Sequence, residues 1–112
     1  MLNQVIIAGR LVRSPELRQS ENKKNYSYIT LAIPRSFKNQ NGEYETDYID
    51  CILWDSIAIN ACDYCKKGDV VAVRGRIQTR LVEMDDKKES KLDIICERLT
   101  FLANSSKQSE NN

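Results

Sequence analysis

Apolar residues recur at every second position through much of this chain, and that alternation predicts five strands, with a single helix breaking the rhythm. In the first strand, Leu2 to Leu11, Val5, Ile7 and Leu11 share a face, and Gly9 marks a bend where a sheet curls toward closure. Arg13 to Glu21 contains Ser14-Pro15 and no period, so it reads as a connection, with Leu17 set against the core. Asn25 to Arg35 is the second strand, burying Ile29, Leu31 and Ile33. Pro34 lacks a backbone donor and so predicts a sheet edge or bulge near its end. Asn41-Gly42 predicts a tight turn with two positive-φ positions, joining an arm at Phe37 and Lys38 to a third strand that ends at Trp54. In that strand Ile49, Cys51 and Leu53 form an aliphatic face. Tyr44, Thr46, Tyr48, Asp50, Ile52 and Trp54 point the other way.

The period then changes. Asp55 to Lys67 predicts a helix, capped by Asp55 or Ser56, with Ile57, Ala61, Tyr64 and Cys65 as its apolar stripe and Gly68 as its terminator. A fourth strand from Asp69 to Val82 sends Val71, Val73, Gly75 and Ile77 one way and Arg74, Arg76, Gln78 and Arg80 the other. Glu83 to Ser90 reads as a charged, mobile loop, and Leu92 to Leu102 as a fifth strand. Residues 103–112 are polar and without period, which predicts a disordered tail after a domain spanning 1–102. Three strands, a helix and two strands, with glycine bends in the first and fourth, is the order of an OB-fold. The predicted class is therefore all-β with one helix: a five-stranded barrel with the helix between strands three and four.

Composition narrows the function without choosing it. The chain has 112 residues, enough for one domain with a core that needs no metal or disulfide. Lys and Arg number 17 against 16 Asp and Glu, so total charge is neutral on nucleic acid and the local distribution must decide. No apolar run is long enough to span a bilayer and the start lacks a signal-peptide layout, so the expected location is cytoplasmic and no membrane partner is expected. There is no histidine, and the four cysteines include one Cys-x-x-Cys pair, Cys62 and Cys65. That composition gives no zinc site, and neither metal nor cofactor is expected. Cys51 and Cys96 read as small core residues. The pair lies late in the predicted helix, which is the wrong end for a redox dithiol.

The face opposite the core carries the chemistry. Three aromatics among polar neighbours on the third strand, with Phe37 and Lys38 on the arm, suit stacking of unpaired bases, although strand propensity alone also favours aromatics. Arg74, Arg76 and Arg80 line one face of the fourth strand with no acid between them, a positive strip suited to phosphate. Arg10 and Arg35 add charge, with Tyr44, Arg18 and Lys87 as lesser candidates.

A family resemblance spans nearly all of residues 1–102. It is carried by Leu2-Asn3-Gln4-Val5 through Gly9-Arg10-Leu11, Ser14-Pro15-Glu16-Leu17-Arg18, Ile29-Thr30-Leu31-Ala32, Arg35-Ser36-Phe37-Lys38, Gly42 to Ile49, Tyr64 to Asp69 and Gly75 to Arg80. In their order and spacing these segments resemble the bacterial-type single-stranded DNA-binding proteins. The resemblance implies a homotetramer of OB-folds that wraps single-stranded DNA without sequence preference, with bases stacked at Phe37, Tyr48 and Trp54 and basic residues on the backbone. It also implies an aromatic shortly after strand four's Gln-Thr-Arg, where this chain has Leu81-Val82, and an acidic tip ending in Pro-Phe, where it has Ser109-Glu110-Asn111-Asn112. One stacking platform is therefore missing, and recruitment of replication or repair enzymes through such a tip is not expected. An adaptor using the same surface for a protein partner is the alternative reading. No acid, base or nucleophile suggests an enzyme.

Overall fold

The computed structural model describes residues 1–105. The strands are β1 (Val5–Leu11), β2 (Arg18–Gln19), β3 (Asn25–Lys38), β4 (Tyr44–Trp54), β5 (Val70–Met84) and β6 (Lys87–Ala103), with one helix, α1 (Asp55–Tyr64). They form a sheet in the order β1-β5-β6-β4-β3-β2, and β1 returns to β3 through Arg10↔Ala32 and Leu11↔Leu31. That return closes β1, β3, β4, β5 and β6 into a five-stranded barrel of OB type, as the element order predicts. The two-residue β2 lies outside it, against Tyr26 and Asn25 of β3. Counting β2, the helix falls between β4 and β5, which are the third and fourth strands of the barrel.

The inner face is aliphatic because each strand turns alternate residues inward. Leu11, Ile29, Leu31, Leu53, Val71 and Val73 are fully buried, and α1 adds Ala58 and Ala61. At about 25 cal/mol per Å² of apolar surface removed from water, such a cluster is the main stabilising term of a domain this size. Closure also depends on one close approach. A Cβ built on Gly75 would sit 2.0 Å from the carbonyl oxygen of Ile95, so β5 passes β6 at that point only without a side chain. The ladder slips register there, between Arg74 and Gly75.

Several local expectations are corrected. The helix stops at Tyr64 rather than Lys67, because Cys65 is extended (φ −114°) and the amide of Lys66 donates to the Asp69 carboxylate at 2.9 Å instead of continuing the helix. Neither Asp55 nor Ser56 caps it. The N-cap is Trp54, with no side-chain cap bond, and Asp55 begins the helix at φ 53°. Glu83 to Ser90 is a hairpin: β5 and β6 pair out to Met84↔Lys87 around Asp85 and Asp86, both at positive φ. Aspartate tolerates that left-handed region, so Asp-Asp serves where Asn-Gly is the usual signal. At Asn41-Gly42 only Gly42 has positive φ; the Asn39 side chain accepts from the amides of Asn41 and Glu43 and shapes a longer turn. Leu17 is exposed, not tucked onto the core. The bulge expected from Pro34 is present, between Pro34 and Lys38. β6 runs through Ala103, and the Ser105 amide donates to Asp69 at 3.1 Å. The remainder of the expected tail, 106–112, lies outside the described residues.

Candidate nucleic-acid interface

Directly opposed residues of paired strands point to the same side, so the registers draw the outer face row by row. The first row is Arg18–Tyr26–Trp54, from β2 across β3 to β4. The second is Tyr28–Ile52–Ile95–Arg76, crossing β3, β4, β6 and β5. Thr30 and Asp50 form the third row, and Arg10–Ala32–Tyr48 the fourth. Four of these positions are aromatic.

Tyr26 is central to the first pair of rows. Its ring lies 5.4 Å from Trp54 at a tilt of 42° and 5.9 Å from Tyr28 edge-on, giving a continuous aromatic surface. Tyr48 stands apart with 66 % of its surface exposed. At about 3.3 Å per residue it lies roughly 20 Å along β4 from Trp54, far enough for the two rings to serve different nucleotides. Arg10 flanks Tyr48 across Ala32, its guanidinium donating to the Gly68 carbonyl at 2.9 Å. On the arm, Lys38 sits opposite Tyr44 and places Nζ 5.7 Å from its ring centre, while Phe37 is exposed on the bulged stretch of β3.

The arginines do not form the bare positive strip that the fourth strand suggested. Arg76 pairs with Glu97 at 3.3 Å and Arg80 with Asp93 at 2.8 Å, both acids supplied by β6. A strand's own sequence does not show its neighbour's charges. Arg35 is likewise held, through two nitrogens to Asp47 and a third to Glu45. That clasp raises the Arg35 pKa through its bond to Asp47 and lowers that of Asp47. Arg74 makes no ion pair among the described residues, but it stands beside Ile6 and Arg98, on the β1 side of the barrel and away from the aromatic rows.

Two aromatics of this face, Tyr26 and Tyr28, were not singled out from the sequence. They alternate with Ser27 and Ile29, so the same period-two reading that exposed Tyr48 and Trp54 would have found them. Beside them is a cleft of about 460 Å³, within the size range of small-ligand sites. Tyr26, Tyr28 and Asp50 lie along it with Arg13, Glu16 and Arg18 of the β1–β3 connection.

The single-strand binding protein family model matches residues 2–102. The chain belongs to that family. It is 48% identical over 86 residues to single-stranded DNA-binding protein B of Bacillus subtilis, covering 77% of this chain and 76% of that one. It is 42% identical to the single-stranded DNA-binding protein of Bacillus cereus, over 91% of this chain but 61% of the relative, and 40% identical to that of Halalkalibacterium halodurans, over 98% and 66%. The matched stretch thus spans 61–76% of the length of these relatives. Among the described residues no helix is long and apolar enough to cross a membrane.

The thiols stand outside this surface chemistry. Burial pushes Cys51 up to about 12 and Cys96 to about 11, and it also raises Cys62 and Cys65. A redox-active cysteine needs the opposite shift.

Proposed function

We propose that this protein binds single-stranded DNA without a strict sequence requirement, as a homotetramer, and shields it during replication, recombination, repair or DNA uptake. The observation that carries the reading is the outer face, where Trp54, Tyr26, Tyr28 and Tyr48 lie in successive cross-strand rows. Base stacking contributes about 1–3 kcal/mol per base and tolerates any sequence, because every base has a π-face. Phe37 and Tyr44 extend the platform onto the arm. Arg10 and Lys38 are the cations best placed for phosphate beside aromatics. Arg35, Arg76 and Arg80 contribute by exchanging a carboxylate for a phosphate, and Arg74 serves a strand that wraps round to the β1 side.

Trp54 is the only tryptophan, so its fluorescence reports on the proposed face. Titration with oligo-dT is expected to give quenching that saturates and weakens with salt. If about four phosphates are neutralised per protomer, log affinity falls with log salt at a slope near −3. A salt-independent affinity, or no binding by fluorescence and by a second method, overturns the proposal and favours a protein-binding adaptor.

A further inference from the structure

The cleft beside Tyr28 differs chemically from the rest of the face. Stacking platforms and arginines accept any nucleotide, but this recess also holds two carboxylates, Asp50 and Glu16. A carboxylate repels phosphate but accepts hydrogen bonds from the N–H groups of a base, so beside Arg13 and Arg18 this recess is suited to a base whose flanking phosphate lies on an arginine. Glu16 is engaged by Arg18 at 3.4 Å. Asp50 is oriented: the Thr30 hydroxyl donates to its Oδ1 at 2.6 Å, leaving Oδ2 with no hydrogen-bond partner among the described residues. Thr30 is buried, so the anchor is fixed, while Asp50 itself is open to the cleft.

We infer that Asp50, held by Thr30, makes this cleft a base-reading subsite that prefers guanine over thymine. An unpaired base exposes its Watson–Crick edge. On guanine that edge carries two adjacent donors, N1–H and the N2 amino group, which match the two oxygens of a carboxylate. Thymine offers one N3–H between two carbonyl oxygens that a carboxylate repels. Tyr26 and Tyr28 supply the aromatic wall for the base. Arg13, which makes no ion pair among the described residues, stands at the cleft for the flanking phosphate. The inference rests on the single-strand-binding reading and adds a graded preference to it.

The test compares oligo-dT with a thymine oligomer of the same length carrying isolated guanines, by competition at fixed salt. It uses the native chain and the Asp50→Ala and Thr30→Val variants. The native chain is expected to favour the guanine oligomer about five-fold, the low end of bidentate discrimination because the site is open to water. Asp50→Ala is expected to abolish that ratio while keeping or raising affinity for oligo-dT, since a negative charge has left the face. Thr30→Val, which keeps the carboxylate but frees it, should fall between. Replacing guanine with hypoxanthine, which lacks the N2 amino group, should remove most of the native preference. A native ratio near one, or a ratio unchanged in Asp50→Ala, overturns the subsite alone, because oligo-dT binding survives. Failure of the native chain to bind either oligomer overturns the underlying reading as well.

Discussion

Tyr48 and Trp54 occupy the same face of one strand, but their surroundings give them different duties. Tyr48 is mostly exposed and packs on little, whereas Trp54 is half-buried against Tyr26. Tyr48→Ala is therefore expected to weaken binding of single-stranded DNA by about 1–3 kcal/mol with thermal stability unchanged. Trp54→Ala should cost affinity and stability together, by a comparable amount in each. Parallel titrations and melting curves would separate the two. The thiols make a second prediction at this scale. Cys51 rises from an ordinary value of 9.0 to about 12 on folding, so the unfolded chain ionises first. That stabilisation is complete below pH 9 and is lost as pH rises toward 12. Melting temperature should accordingly fall across that interval, and less steeply in Cys51→Ala measured against its own neutral-pH value.

At the scale of elements, the close pass of β5 over β6 is the least forgiving junction. Gly75→Ala forces a methyl group onto the Ile95 carbonyl, which is backbone, so the strand itself has to shift. The expected cost is about 3 kcal/mol or more, read by denaturant unfolding. The five barrel strands, the helix and the barrel order were legible in the sequence, because alternation and its interruption report burial directly, whereas β2 lay within a stretch that reads as a connection. Termini and turns were less so, since they are decided by groups distant in sequence or by a side chain's choice of partner. Asp69 capturing the Lys66 amide ends α1 early, and Asp85-Asp86 accepts a conformation usually left to Asn-Gly. The candidate site shows the same division. Tyr48 and Trp54 could be read from one strand, but the neutralisation of Arg76 by Glu97 and of Arg80 by Asp93 exists only across a strand pair.

For the whole molecule, the proposed tetramer has visible means of assembly. β1 meets β3 only at Arg10 and Leu11, so its edge from Val5 to Gly9 is open on that side, and Leu2 and Ile6 are exposed beside it, with Ile6 at 71 %. Exposed apolar residues next to an unpaired strand edge favour association. Sedimentation equilibrium is expected to give the mass of four chains, and Ile6→Glu to shift the distribution to smaller species. A monomer in the native chain would set the proposal aside.

The seam between β4 and β6 is parallel and joins Cys51 and Ile52 to Ile94 and Ile95, with all of α1 and β5 between them. Parallel neighbours cannot be joined by a hairpin, so this contact must wait until α1, β5 and β6 have all been made. On the ribosome, β3 and β4 can zip together early and take on β1 and α1, yet the edge of β4 that pairs with Ile94 and Ile95 stays open until β6 emerges. The barrel consequently cannot close until β6 has been made, and until then the nascent domain carries an open edge of β4 that cellular chaperones are equipped to shield.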